Sequence, residues 1–305
     1  MGVDYEKYFT DGIQPLGYAA NRLIKKLEEL QGGPRGYTTG LSALDDYVLL
    51  APATMVTIAA RSATGKTAMG MQIVGEVVKQ LNERQQPGYV VVFSAEMDTE
   101  TLLLREACAL TGISMWLLQR GKVHEAGMRA VMDTVNQLKN NTRVLVDQSS
   151  APTLEYMIDQ LDILKNEYAA PIRMVLFDYA ELAGEFGMNE SLRIAKISRG
   201  LKAIAKKFDC PVLTLSQLNR DIEGRENKRP TMRDLMYGGE REPDCIMVMV
   251  RPGLYDDEIQ KDRVDVTVIK NRNGPVGECC LLFDGEKMRF RSAFIERTEL
   301  NEGQP

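Results

Sequence analysis

Hydrophobic and polar positions along this chain fall into blocks whose period changes sharply. Over residues 18–30, Leu23, Ile24, Leu27 and Leu30 recur at helical spacing while Arg22, Lys25, Lys26, Glu28 and Glu29 take the other side, which predicts a short amphipathic helix. The run Gln31-Gly32-Gly33-Pro34-Arg35-Gly36 stops it, since glycine ends a helix and proline cannot continue one. Periodicity alone leaves open whether that apolar face folds back on its own domain or docks elsewhere. Residues 37–45 read as turn-rich. Beyond them, apolar runs of strand length at 55–60, 88–94, 143–146, 173–178 and 211–217 are separated by helical patterns at 68–81, 99–110, 125–138, 153–165 and 191–208. Continuous apolar strands alternating with helices predict an α/β fold with a largely parallel sheet covered on both faces. A further strand is expected over 264–273. Residues 1–17 carry no period and 296–305 form a polar tail predicted to be flexible, so the pattern bounds one globular unit at 36–295, preceded by a lead and helix at 1–35.

The sharpest break follows Ala60, where an apolar run gives way to Arg61-Ser62-Ala63-Thr64-Gly65-Lys66-Thr67 and then to a helical pattern. This is the form of a phosphate-binding loop. Backbone N–H groups of Ser62, Ala63, Thr64 and Gly65 would cradle phosphates at a helix start, Lys66 would reach the terminal phosphates, and the Thr67 hydroxyl would ligate magnesium. Ala60 occupies the first position of the pattern, where glycine is usual, and an incidental lysine at a helix start is the plainer alternative. Other strand ends carry polar groups. Glu96, just past the strand at 88–94, is a candidate to orient or deprotonate the water that attacks a γ-phosphate, or else caps the next helix. Asp178 closes the apolar run at 173–178 and is a candidate for the acid that holds a magnesium ion, against the alternative of a turn cap. Gln217 ends the strand at 211–217, where an amide can hydrogen-bond a γ-phosphate and move when it leaves.

Composition narrows the setting more than the chemistry. With 305 residues, 44% of them hydrophobic, the chain can bury a large core. The five cysteines form no framework, and the adjacent Cys279 and Cys280 read as small core or face residues rather than a redox pair; a reducing, cytoplasmic compartment is expected. No apolar stretch approaches membrane-spanning length, and the acidic amino-terminal segment lacks the form of a signal peptide. The formal net charge of −5 decides nothing about nucleic acid, because a groove can concentrate basic side chains while the rest stays acidic. His124, the single histidine, sits before a helix, where a cap or solvated role is expected.

The ordered blocks ARSATGKTA, VVFSAEM, VLFDYAEL, ISRGLKAIAKKFDCPVLTLSQLNR, KRPTMRDL and VIKNRNGPVGECCLLFDGEKMRF resemble the motor domain of the DnaB-type bacterial replicative helicases, over about residues 36–290. Members of that family also carry alanine where Ala60 stands. The resemblance implies a RecA-like fold with an antiparallel edge extension, a hexameric ring, ATP and Mg2+ bound between subunits, and single-stranded DNA in the central channel. It implies that Lys66 and Thr67 bind nucleotide and metal, that Glu96 is the catalytic base, Asp178 the metal-linked acid and Gln217 the γ-phosphate sensor. Lys270 and Arg272 match the pair that the family inserts into the neighbouring subunit's site. The sequence departs from the family after Asp234-Leu235, where Met236-Tyr237-Gly238-Gly239 replaces Arg-Glu-Ser-Gly in a DNA-contacting loop. Backbone N–H groups of Gly238 and Gly239, with Tyr237 by stacking or Arg241 by charge, are the candidate DNA contacts there. On this resemblance the family's amino-terminal collar, its usual primase-binding part, is expected to be missing, and residues 18–30 match the linker helix that docks on the adjacent motor. A helicase loader and a primase are candidate partners, and no membrane is expected. A RecA-like recombinase and a nucleotide-dependent replication scaffold that does not unwind are the competing functions.

Overall fold

The computed structural model describes residues 16–31, 33–168, 171–178, 183–184, 189–219, 231–235, 240–256 and 258–293. The lead at 1–15, the tail at 296–305 and the loop at 236–239 lie outside them. The strands are β1 (Met55–Ala60), β2 (Tyr89–Ser94), β3 (Val144–Asp147), β4 (Ile172–Asp178), β5 (Val212–Gln217), β6 (Cys245–Val250), β7 (Arg263–Asn271), β8 (Gly277–Asp284) and β9 (Arg289–Ser292). The helices are α1 (Leu16–Leu30), α2 (Ser42–Asp45), α3 (Lys66–Glu83), α4 (Thr99–Thr111), α5 (Met115–Gln119), α6 (Glu125–Leu138), α7 (Leu154–Glu167) and α8 (Glu190–Phe208). One sheet runs in the order β3-β2-β4-β5-β1-β6-β7-β8-β9. Its first six strands are parallel, and β7, β8 and β9 extend it antiparallel.

The parallel strands are apolar on both faces because both are covered. On one face Met69, Ile73, Val77 and Leu81 of α3 pack with Val56, Ile58, Leu176 and Leu215, all buried. Gly70 lets α3 approach, since an added Cβ would stand 3.3 Å from both Leu176 and Leu215. On the other face Met157 and Leu161 of α7 and Ile197, Leu201 and Ile204 of α8 cover Phe93, Val175 and Phe177. Burying each such side chain contributes about 1.5–3 kcal/mol before conformational entropy is subtracted.

Differences from the expected elements are local. The turn-rich segment contains the one-turn α2, and α5 follows α4 where no element is expected. β7 ends at Asn271, so Arg272 follows the strand rather than lying in it. Beyond β7 the sheet continues through β8 and β9. His124 is the N-cap of α6, its Nδ1 accepting the Gly127 N–H at 3.0 Å. Cys279 and Cys280 are half-buried free thiols; burial pushes Cys279 up to about 12, a value at which it carries no thiolate. Among the described residues no helix is long and apolar enough to cross a membrane.

Candidate nucleotide-binding site

The carboxyl ends of the parallel strands come level at one edge of the sheet. Ala60 pairs with Gln217 across β1 and β5, Phe177 with Thr214 across β4 and β5, and Ser94 with Asp178 across β2 and β4. In open α/β sheets this is the edge at which ligands bind. From it the chain leaves β1 and turns through Ala63 and Gly65, both left-handed at φ 64° and 97°, to enter α3 at Lys66. Such a turn exposes successive N–H groups, and the positive end of the 18-residue α3 adds to their pull on an anion. Gly65 answers two constraints, since an added Cβ would also stand 2.9 Å from the rings of Phe283 and Phe290. Ala60, buried at the end of the strand and outside the left-handed turn, has no need of glycine's freedom. Arg61 fixes the loop to the end of β5 by donating to the Leu218 carbonyl at 2.9 Å.

A cleft of about 380 Å3 opens above this edge, with Lys66, Thr67, Glu96 and Gln217 in its wall. The Thr67 hydroxyl donates to Asp178 Oδ2 at 2.8 Å, while Oδ1, also buried, has no protein partner. Burial pushes the Asp178 carboxyl up; the Thr67 hydrogen bond and the Lys66 charge oppose the shift. A buried carboxylate oxygen without a donor, beside a hydroxyl on the same edge, fits a hard divalent cation that completes its shell with water and phosphate oxygens. Gln217 donates to the Ser62 hydroxyl at 3.1 Å, which ties the end of β5 to the phosphate loop. Glu96 is exposed in the cleft, and the capping role belongs to Asp98, which accepts the Thr101 N–H at 2.7 Å.

The route by which Glu96 arrives differs from the simplest expectation. β2 does not neighbour β1, because β5 and β4 stand between them; the turn after β2 overhangs the edge and brings Glu96 to the cleft. Lys270 and Arg272 are elsewhere. Asn271 pairs with Cys245 at the amino end of β6, which lies parallel to β1, so both cations belong to the opposite edge of the sheet. Tyr237, Gly238 and Gly239 fall outside the described residues. Arg241 is exposed, and its carbonyl accepts from Lys270 Nζ at 3.0 Å and Arg272 Nη2 at 3.1 Å.

Several residues of the cleft escape a reading of the sequence. Arg105 of α4 enters its wall with a buried Nε that has no protein acceptor; the one local signal is an arginine after three leucines. Arg251 stands 5.4 Å over the ring of Phe283, which stacks on Phe290 with centroids 4.3 Å apart. With Met288 they form a wall of planar and soft groups suited to a nucleobase, assembled from segments that share no motif.

A family model for the DnaB-like helicase C terminal domain matches residues 36–292. The replicative DNA helicase DnaB of Haemophilus influenzae is 34% identical over 282 residues, covering 90% of this chain and 59% of that protein. The replicative DNA helicase DnaC of Bacillus subtilis is 31% identical over 274 residues, covering 88% and 59%. The chain thus spans about three-fifths of the length of these curated relatives. Among solved structures, the ATPase domain of the protein G40P superposes with a TM-score of 0.78 at 26% identity, covering 90% of this chain and 98% of that one. A DnaB-like replicative helicase, described with its interactions with primase, gives 0.77 at 25%, covering 94% and 69%.

Proposed function

Because the chain belongs to the DnaB-like helicase C terminal domain family, we propose that it is the ATP-hydrolysing motor of a hexameric replicative helicase that translocates on single-stranded DNA in the cytoplasm. The observation that carries this is one cleft joining Lys66, Thr67, Glu96 and Gln217 beside a buried carboxylate with an open oxygen. Lys66 and the N–H groups of Ser62, Ala63, Thr64 and Gly65 hold the β- and γ-phosphates. Thr67 and Asp178 are the residues that hold Mg2+, which supplies charge neutralisation at the phosphate oxygens. Glu96, open to solvent, accepts the proton of the attacking water. Gln217 reports the γ-phosphate through its bond to Ser62 and its seat at the end of β5. Arg105 adds a cation facing the same charge, and Arg251, Phe283 and Met288 receive the base.

Lys270 and Arg272 act in another copy's site. The six residues of β1 span roughly 20 Å at about 3.3 Å each, and the two cations lie at the far end from their own phosphate loop. A side chain cannot bridge that length, whereas a ring can supply a guanidinium from the next subunit, a contribution worth about 10³–10⁵ in rate. The exposed face of Leu23, Ile24, Leu27 and Leu30 supports the docking of α1 on a neighbouring motor. Single-stranded DNA is met by Tyr237, Gly238, Gly239 and Arg241. A primase is a candidate partner by analogy with the related helicase described with one, and a loader is a second candidate.

Unwinding of a forked DNA with and without ATP, run beside a mass measurement of the assembly, tests this function. ATP-dependent strand displacement by a hexamer is expected. ATP and DNA binding without displacement would identify a scaffold, and filaments that promote strand exchange would identify a recombinase; either result overturns the helicase.

A further inference from the structure

At the edge of the sheet opposite the cleft, one aspartate collects four contacts, three on its carboxylate and one on its backbone carbonyl. Asp244 stands immediately before β6 and is buried. Its Oδ2 accepts from Lys202 Nζ of α8 at 2.5 Å and from the Met55 N–H at the start of β1 at 2.8 Å. Its Oδ1 accepts from Arg272 Nη1 at 3.4 Å, and its carbonyl accepts the Arg272 N–H at 2.8 Å. Arg272 is therefore held by Asp244 at both its backbone and its side chain. The Lys202 and Asp244 side chains are 13% and 11% exposed, whereas that of Arg272 is 50% exposed. A buried ion pair thus anchors a guanidinium that keeps part of its donor fork facing outward. Burial raises the Asp244 carboxyl, but the Lys202 and Met55 hydrogen bonds and the charges of Lys202 and Arg272 outweigh it and hold the group below the usual range, so it is ionised at neutral pH.

We propose that Asp244 is the positioning residue for Arg272, with Lys202 as the buried counter-charge that fixes the carboxylate. The assignment rests on the reading that Arg272 completes the site of a neighbouring subunit. A guanidinium acts on a phosphoryl group only if its planar fork arrives aligned, and about 1 Å of misplacement can cost a hundredfold in rate. Arg272 projects just beyond the end of β7 on a four-bond stem, so its aim depends on what grips it. Backbone pairing to Asp244 sets where the stem starts, and the carboxylate sets where the fork points; the Arg241 carbonyl, accepting from Nη2, steadies the remaining side.

Complementation between subunits separates this role from a purely structural one, because Asp244 also braces β1, which leads into its own phosphate loop. Asp244→Asn keeps size and an acceptor for the Met55 N–H but removes the charge that aligns Arg272. The variant should assemble, bind ATP with KM within about twofold, and turn over ATP about ten- to a hundredfold more slowly. Mixed with Lys66→Ala subunits it should recover turnover, since intact phosphate loops of Asp244→Asn subunits then meet well-aimed Arg272 groups from their neighbours. Mixed with Arg272→Ala subunits it should recover none. The pair Arg272→Ala with Lys66→Ala is the control for the trans reading. If that pair fails to recover turnover, the trans reading falls and the assignment with it. If it recovers while Asp244→Asn with Lys66→Ala does not, Asp244 serves its own subunit and only the positioning role is overturned. Should a lowered melting temperature show that Asp244→Asn leaves Lys202 damagingly unpaired, Asp244→Asn with Lys202→Met removes both charges and is put through the same mixtures, with the same two outcomes.

Discussion

Thr67 and Asp178, 111 residues apart in the chain, meet at 2.8 Å with the hydroxyl donating to one carboxylate oxygen and the other oxygen left without a protein partner. This bond joins the first turn of α3, which lines the cleft, to the carboxyl end of β4. The open oxygen is what distinguishes the pair from a simple brace between elements. A buried carboxylate that served packing alone would have both oxygens satisfied.

Lys66→Ala should lower ATP turnover by at least about 10²–10³, the scale of losing one fixed donor to developing charge in a water-poor site. The fold should be unaffected, because Lys66 opens α3 rather than packing in it. Turnover at the parent rate in a steady-state ATPase assay would move the nucleotide site elsewhere.

Glu96→Gln should retain ATP binding and assembly and lose at least about a hundredfold in kcat, as expected for a missing general base. Since Asp98 caps α4, the melting temperature should not change. Asp98→Ala should show the reverse pattern, costing about 1 kcal/mol of stability with little effect on kcat. Normal hydrolysis by Glu96→Gln would require another acid as the base.

Removing residues 1–30 should weaken the ring without unfolding the motor. Leu23, Ile24 and Leu27 are 54%, 53% and 52% exposed, so their apolar area is still available to a neighbour. At about 25 cal/mol per Å2 a few hundred Å2 per contact would matter, less the cost of ordering. A hexamer-to-monomer ratio that is the same on dilution of both proteins would assign the helix to its own domain.

Glu106 supplies a pH test remote from the site. It lies among Met71, Leu102 and Val146 in a second, mostly apolar cavity. Burial pushes its carboxyl up, and the charge of Arg289 opposes the shift only in part. A folded value above the unfolded value means that the folded state binds the proton more tightly. Its contribution is therefore fully present below the ordinary carboxylate value of about 4.3 and is lost as pH rises through the raised value. Glu106→Gln, which cannot ionise, should melt a few degrees higher than the parent near pH 8 and at the same temperature near pH 4. Equal melting at both values would show that Glu106 is solvated in its folded environment.

The sequence by itself determined the alternation of strands and helices, and with it the parallel sheet covered on both faces. Runs such as Met174 to Phe177 are apolar at every position, which a strand can satisfy only if both faces are buried. It also marked Lys66 and Thr67 as candidates, because the residues of a phosphate loop must be adjacent in the chain. Glu96, Asp178 and Gln217 were legible for a related reason: each is a polar group at the end of an apolar run, and strand ends are where a parallel sheet exposes its ligand edge. Only the tertiary structure decided the order of the strands, which separates β2 from β1 and brings Glu96 in over two intervening strands. It alone assembled the wall of Arg105, Arg251, Phe283 and Met288, and it alone set Arg272 on Asp244 at the far edge. Strand order and side-chain convergence come from contacts between residues remote in sequence, whose energies depend on which faces meet; no period or local motif records that choice.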